Sequence, residues 1–423
     1  MRPENKWFAG FVALLLGITA IFVLFGEPQK NLDQVSEAIL PKPEEVSRSK
    51  PVEGPVREFL NFDSKVAYMG DENCATCHLE ETDSFRAHPM GRSMAKITDF
   101  AAKPTSSPYT VGNYRFSVEK RGSQIIHIEE ELGNGGQVLK KVEEPISWVV
   151  GSGQRGHAFL VEKSGKFFQS PISWYSSLEK YNLSPGYELG NMHFDRPILQ
   201  ACLNCHSNRV ESTTGDALKL HGTAIGCERC HGPGELHAKE QKIKDGYDQT
   251  IVNPAKLSST RRDHICYQCH MQLEARQDLP DKSIYDFKPG QDLMTFIKRN
   301  SNMISDPVAR LKAVGHVQQM EESRCFKADS SKFGCTTCHN PHDFKNPKER
   351  QTDYLKKCLS CHTDQNDCSL PMPTRTALSP ADDCIACHMP SRKTADIGHT
   401  ALTDHSIKRH TPAYEAMKRA KTP

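Results

Sequence analysis

Cysteine and histidine recur along this chain at one fixed spacing. The 423 residues include 16 cysteines and 19 histidines, and fourteen of those cysteines fall into seven five-residue units of the form C-x-x-C-H. Two cysteines separated by two residues lie about one helical turn apart, so both thiols can reach one edge of a flat ring while the adjacent histidine turns beneath it. The units, numbered 1 to 7 in chain order, are Cys74, Cys77 and His78; Cys202, Cys205 and His206; Cys227, Cys230 and His231; Cys266, Cys269 and His270; Cys335, Cys338 and His339; Cys358, Cys361 and His362; and Cys384, Cys387 and His388.

This spacing is the attachment signature of c-type haem. The two thiols add to the porphyrin vinyl groups, and the histidine becomes the proximal iron ligand. We therefore expect seven covalently bound haem c groups, each attached through one of the seven units. A structural zinc ion would need two C-x-x-C pairs, or one such pair and a distant pair of histidines. Here the number of C-x-x-C pairs is odd, and each pair is followed by its own histidine. Disulfide chemistry gives no reason for a histidine after every second cysteine.

The composition fits a core that is supplied largely by cofactor. Hydrophobic residues make up 37% of the chain and the mean hydropathy is −0.59, which leaves few side chains for a conventional core. Seven porphyrins would supply the missing apolar surface. We expect a mainly α and irregular multihaem fold with little regular structure, plus a small antiparallel β-rich insert. The net charge of +2 is too small to indicate the strongly positive surface that nucleic-acid binding needs.

The N-terminus predicts a membrane anchor. Arg2 and Lys6 precede an uninterrupted apolar run from Trp7 to Phe25, which as a helix would span about 28 Å. No small-x-small cleavage site ends this run, and the positive-inside rule places the rest of the chain outside the cytoplasm. We expect a single-pass protein of the cytoplasmic membrane with its haem domain on the periplasmic side. Secretion to the periplasm after signal cleavage is the alternative.

The chain divides into six predicted segments. Alternating apolar residues at Tyr114, Phe116 and Val118, with glycine turns around them, indicate antiparallel strands in the long interval between the first two haem units. The glycine-rich run 151–156 does not have dinucleotide-binding spacing, so no nucleotide is expected. The segments are 1–26, membrane anchor or signal; 27–66, flexible linker; 67–103, first haem-binding segment; 104–192, β-rich insert; 193–290, haems 2 to 4; and 291–423, haems 5 to 7.

Two further features of the sequence lie outside the haem units. Cys325 and Cys368 are the two remaining cysteines, and they could form a disulfide, stay as free buried thiols or form a reactive site. The haem-free spacer from Lys288 to Val314 carries apolar residues at intervals of three to four, which predicts a helix.

Several of these runs resemble one family. The sequences CERCHGPGELH (Cys227 to His237), CTTCHNPH (Cys335 to His342) and CIACHMP with a later TDH (Cys384 to His405) are similar to multihaem cytochromes c related to the tetrahaem cytochromes of ammonia oxidisers and to pentahaem nitrite reductases. The resemblance implies closely packed haems, many of them bis-histidine ligated, that act as an electron wire. It also implies seven second iron ligands: His88, His221, His237, His316, His342, His399 and His405. We expect His127, His157 and His193 not to be ligands.

Two functions follow from the resemblance. The first is a heptahaem cytochrome that transfers electrons between redox partner proteins in the periplasm or at the outer face of the membrane. The alternative is an oxidoreductase that acts on a small nitrogen or sulfur compound at one five-coordinate haem. The related nitrite reductases hold their active haem through C-x-x-C-K, whereas all seven units here end in histidine, which favours electron transfer. We assign no catalytic residue, and we expect no nucleic acid or nucleotide partner.

The haem number is directly measurable. The seven complete units predict seven covalently bound haems per chain, so intact mass and a pyridine haemochrome assay should both give seven. A count of five or fewer would contradict this interpretation of the units.

Overall fold

The structure is a computed structural model, and it describes residues 58–104, 107–244, 247–300, 312–362, 368, 371–377 and 383–408. The described residues all belong to one compact unit. Its elements are short, and most helices either contain a haem unit or lie directly beside one.

The helices are short because each haem unit needs only one or two turns to present its cysteines and histidine. The longest, α10 (Pro347–Leu359), is preceded by Asn346, whose side chain accepts the backbone N–H groups of Lys348 and Glu349, and has Pro347 as its first residue. This is the pattern expected at a helix start. The α-helices are α1 Asp71–Ala75, α2 Leu79–Ala87, α3 Gln200–Asn204, α4 Glu228–His231, α5 Glu235–Lys239, α6 Ser259–His270, α7 His316–Glu322, α8 Arg324–Ala328, α9 Cys335–Cys338, α10 Pro347–Leu359, α11 Met372–Thr376 and α12 Cys384–His388.

Antiparallel strands fill the interval between the first two haem units. They form a four-stranded sheet in the order β2-β3-β4-β5 and a seven-stranded sheet with the path β1-β6-β7-β8-β11, in which β9 pairs with β7 and β10. The strands are β1 Met94–Lys96, β2 Tyr109–Val111, β3 Tyr114–Arg121, β4 Gln124–Leu132, β5 Val138–Pro145, β6 Trp148–Val150, β7 Gly156–Lys163, β8 Lys166–Gln169, β9 Ile172–Tyr175, β10 Lys180–Leu183 and β11 Arg196–Pro197.

The two sheets share one apolar core. Phe116 from β3 packs with Phe159 from β7 and Ile172 from β9, and all three side chains are at most 1% exposed. Alternation along β3 buries Phe116 and Val118 while their neighbours lie nearer solvent, as the period of two in a strand requires. The β region therefore has an ordinary side-chain core that does not depend on porphyrin.

The predicted fold class is wrong. The chain is sheet-rich: besides the β region, three two-stranded ribbons lie between haem units of the described chain, and a fourth follows unit 7. In each ribbon two extended segments of the same connection form antiparallel hydrogen bonds, because buried backbone N–H and C=O groups need partners. The ribbons join β12 Arg209–Ser212 with β13 Leu218–His221, β14 Ile243–Lys244 with β15 Tyr247–Asp248, β16 Arg276–Asp278 with β17 Ile297–Arg299, and β18 Ser391–Lys393 with β19 Ala401–Thr403.

The predicted helix of the 288–314 spacer is also wrong where the structure describes it. Leu293 begins a short 3-10 turn, Ile297 begins strand β17, and both side chains are buried in the same apolar cluster. A 3-10 turn followed by a strand therefore buries the apolar residues whose spacing had predicted a helix. The 3-10 turns are Leu60–Phe62, Ile97–Asp99, Tyr187–Leu189, Thr214–Asp216, Pro254–Lys256, Leu273–Ala275, Ile284–Asp286 and Leu293–Thr295.

The structure contradicts the predicted single-pass membrane location. Among the described residues, no helix has both the length and the apolar composition needed to cross a bilayer. The two longest, α6 and α10, have 12 and 13 residues, whereas a span needs about 20. The run from Trp7 to Phe25, on which the prediction rested, lies outside the described residues.

The second haem unit packs directly on the larger sheet. Leu203, inside the unit and 1% exposed, shares an apolar cluster with Met94 of β1 and Leu160 of β7. The Ser93 hydroxyl donates to the carbonyl of His206 at 2.8 Å and accepts from the backbone N–H of Ile225 at 3.1 Å. The β region therefore serves as the platform that positions this unit.

Truncating Leu203 tests this platform. Leu203→Ala would leave a cavity between α3 and the sheet, and should lower the free energy of unfolding by about 3 kcal/mol. The matched control is Leu189→Ala, at a side chain that is 91% exposed, where about 0.5 kcal/mol or less is expected. Chemical denaturation followed by β-sheet circular dichroism measures both, and equal effects would contradict the packing role.

Candidate haem-binding site

Units 1 and 3 are joined by two carboxylates. Asp71, three residues before Cys74, accepts the backbone N–H of Cys227 at 2.9 Å. In return Glu228, inside unit 3 and 2% exposed, accepts the N–H groups of Met69 at 2.8 Å and Gly70 at 2.9 Å. Charge-assisted bonds of this kind are stronger than neutral ones, so the two units are fixed side by side.

Units 4 and 5 repeat part of this arrangement. Asp263, three residues before Cys266, accepts the backbone N–H of Cys335 at 3.1 Å. Burial raises the pKa of Asp263 to about 6, while the hydrogen bond from Cys335 opposes this shift. A glycine precedes the first cysteine of both receiving units, Gly226 and Gly334, and a Cβ at either position would collide with the aspartate. Glycine therefore lets the carboxylate approach the backbone this closely, and a larger residue would displace it.

Arg229 connects units 2, 3 and 4. Its guanidinium donates to the carbonyl oxygens of Asn204 at 2.8 Å and Asn208 at 3.3 Å. Gln268, in unit 4, donates in turn to the carbonyl of Arg229 at 3.3 Å. Asn204 is the last residue of α3, so its carbonyl has no partner within the helix and is free to accept this bond. The variable positions of these units thus hold neighbouring units together.

Thiols of different units lie beside one another. Contact with Cys227 lowers the pKa of Cys74 and contact with Cys74 raises that of Cys227. Contact with Cys269 likewise raises the pKa of Cys205, and contact with Cys266 raises that of Cys335. The neighbouring thiol pairs are Cys74 with Cys227, Cys205 with Cys269, Cys266 with Cys335, and Cys358 with Cys384.

Four proximal histidines face a second histidine at the spacing that one iron requires. Two imidazoles on opposite sides of an iron, each bonded at about 2 Å, place their ring centroids about 6 Å apart. An imidazole can rotate about its metal bond, so parallel and crossed planes both fit. The pairs are His78 with His237 at 6.2 Å, His231 with His342 at 5.8 Å, His270 with His316 at 5.5 Å, and His339 with His405 at 6.1 Å.

The second ring nitrogen of several of these histidines is already engaged. Nδ1 of His231 contacts the carbonyl of Val252 at 2.8 Å, and Nδ1 of His405 contacts the carbonyl of Thr403 at 2.9 Å. A carbonyl at Nδ1 fixes the tautomer and leaves Nε2 as the ligand atom. The same contact occurs in unit 7, where Nδ1 of His388 lies 2.8 Å from the carbonyl of Lys408.

Burial favours the neutral form of three of these imidazoles. It lowers the pKa of His231 and His316, and it lowers that of His339 to about 4 with the help of neighbouring histidines. A neutral imidazole is the form that binds a metal. The thiol spacing, the opposed rings and the neutral ligands therefore fit haem c, which would supply one-electron redox chemistry at these positions.

Two family models match segments of the chain that contain haem units. Residues 328–367 match the family model described as doubled CXXCH motif, and residues 175–232 match the one described as cytochrome c554 and c-prime. The chain is a multihaem cytochrome c. The solved structure of the outer cell wall cytochrome OcwA is similar over 81% of this chain and 79% of that one, with 16% identity and a TM-score of 0.49. No curated protein matches the chain.

The other proposed second ligands of this multihaem cytochrome have different neighbours. His88 lies against the rings of Phe85 and Phe344. Nε2 of His221 lies 3.2 Å from a carboxylate oxygen of Glu211. The ring of His399 packs on Tyr175 at 5.1 Å. The structure therefore brings four of the seven proposed ligands, His237, His316, His342 and His405, opposite a proximal histidine.

The three histidines expected not to be ligands have partners within the β region. Nδ1 of His127 lies 2.7 Å from the hydroxyl of Ser170, and Nδ1 of His157 lies 2.9 Å from the carbonyl of Gly151. His193 contacts the buried carboxylate of Glu129. The two extra cysteines, Cys325 and Cys368, form no disulfide in the described structure.

Removing one second ligand should change the spin state without detaching the haem. In His342→Ala the iron opposite His231 would lose its sixth ligand, so about one haem per chain should become high-spin while the covalent haem count stays unchanged. Electron paramagnetic resonance and intact mass measure the two quantities. The control His193→Ala should keep the wild-type spin distribution. An unchanged spectrum for His342→Ala would contradict the pairing.

Proposed function

We propose that this multihaem cytochrome carries seven haems and transfers electrons between redox partner proteins in the periplasm. The observation that most directly supports electron transfer is the set of four opposed histidine pairs. An iron with histidine on both faces has no free position for a substrate, so it can exchange electrons but cannot bind a small molecule. Family membership indicates the same broad role.

The arrangement of the units supports a continuous electron path. Cys74 of unit 1 lies beside Cys227 of unit 3, and Cys230 of unit 3 lies near Cys266 of unit 4. Units 4 and 5 meet through their thiols and through His316 and His405, whose ring centroids are 4.8 Å apart. Haems attached at these positions would be close neighbours.

Further contacts extend the path in both directions. Cys338 of unit 5 lies near Cys361 of unit 6, and Cys358 of unit 6 lies beside Cys384 of unit 7. Unit 2 meets unit 4 through Cys205 and Cys269. We therefore propose the haem order 1-3-4-5-6-7, with haem 2 as a side branch at haem 4.

One observation favours the second candidate, an oxidoreductase with one five-coordinate haem. Within the described part of the chain, no histidine ring stacks opposite His206, the proximal ligand of unit 2, and its Nδ1 atom is buried without a hydrogen-bond partner. An iron held there by His206 alone could bind a small nitrogen or sulfur compound. This candidate concerns haem 2 and leaves the four paired haems as electron carriers.

Carbon monoxide separates the two candidates, because it binds a reduced iron only where an axial position is open. An electron-transfer protein with seven six-coordinate haems should show little spectral shift with carbon monoxide and should take up seven electrons in a coulometric titration. Stoichiometric binding at one haem would favour the oxidoreductase. An uptake of fewer than seven electrons would contradict the seven-haem proposal.

A further inference from the structure

Haem 1 differs from the other three paired haems in what holds its second histidine. Nδ1 of His237 lies 2.7 Å from a carboxylate oxygen of Asp248. At the other paired haems, Nδ1 of His231 and of His405 contacts a backbone carbonyl. Nδ1 of His339 contacts the hydroxyl of Tyr354 at 3.2 Å. Asp248 is thus the one full negative charge in direct contact with a paired iron ligand in the described chain.

The local fold holds this carboxylate in place. Asp248 ends strand β15, and its other oxygen accepts the backbone N–H of Thr250 at 2.8 Å and the Thr250 hydroxyl at 2.5 Å. His237 lies on the short helix α5, and the two side chains are only 27% and 20% exposed. The hydrogen bond is therefore oriented before any haem chemistry occurs, and solvent screens it only in part.

A carboxylate at Nδ1 changes the iron that Nε2 binds. The negative charge pulls the Nδ1 proton toward itself, makes the imidazole a more basic ligand and stabilises ferric over ferrous iron. A carbonyl or phenol produces a weaker effect because it carries only a partial charge. The difference should appear as a lower reduction potential at haem 1.

We propose that Asp248 is a positioning residue that makes haem 1 the lowest-potential haem of the four with opposed histidines. This inference rests on the proposed electron-transfer function and adds a direction to it. Haem 1 stands at one end of the proposed order, beside haem 3. A low-potential end makes transfer from haem 1 to haem 3 downhill, so electrons from a strongly reducing partner protein would enter at haem 1.

The test is a spectroelectrochemical titration of the full chain with Asp248→Asn, which removes the charge and keeps the size. The reduction equilibrium constant of one haem should rise about tenfold, a shift of about 59 mV for one electron, and that haem should be the lowest-potential paired component in the wild type. His237→Ala identifies the component, because the same low-spin signal should disappear from its spectrum. Asp248→Glu should restore most of the wild-type potential.

Glu240→Gln is the matched control. Glu240 lies three residues from His237 and pairs with Lys242, so its removal changes the local charge without touching a ligand. Its effect on the potential should be much smaller than that of Asp248→Asn. An equal shift in the control, or no shift in Asp248→Asn with all seven haems attached, would overturn the role of Asp248. Failure of the proposed function would instead appear in the wild type, as stoichiometric carbon monoxide binding by a paired haem.

Discussion

Two imidazole rings held about 6 Å apart form the contact on which the rest of this structure depends. Each pair joins parts of the chain that are remote in sequence: His237 follows unit 3 but faces His78 of unit 1, and His342 follows unit 5 but faces His231 of unit 3. A haem bound between such partners would tie one unit to the next. The short helices and ribbons between the units then need little apolar core of their own, because the porphyrins would supply the missing apolar surface.

The β region follows a different principle. Its two sheets bury Phe116, Phe159 and Ile172 in a side-chain core, and Leu203 extends a second cluster into the helix of unit 2. The chain therefore combines a conventional sandwich, which positions haem 2, with a surrounding set of units held by carboxylates, an arginine and paired histidines. Like His388 of unit 7, His206 of unit 2 faces no second histidine ring in the described structure, and its Nδ1 atom is in addition buried without a hydrogen-bond partner.

Local patterns in the sequence predicted the haem units and the strands around Phe116 and Val118, because spacing and alternation are short-range signals. Three of the paired second ligands, His237, His342 and His405, follow from short motifs. The sequence did not predict which units are neighbours. That information is carried by Asp71 and Asp263, each three residues before a unit, and by Gly226 and Gly334, each directly before another. The position of each aspartate three residues before a unit is visible in the sequence. Its role is not visible there, because the backbone N–H that the aspartate accepts lies more than 70 residues away in the chain. The sheet-rich connectors were missed because each of their strands has only two to four residues, which is too short for apolar alternation to be recognised.

The pairing of histidines across single irons is the central claim, and low-temperature electron paramagnetic resonance of the fully ferric protein tests it most directly. Bis-histidine haems give low-spin ferric signals, whereas five-coordinate haems give high-spin signals. The account predicts that low-spin haem dominates the integrated spectrum, with at least four low-spin irons per chain. A spectrum dominated by high-spin iron, in protein that carries its full set of covalent haems, would contradict it.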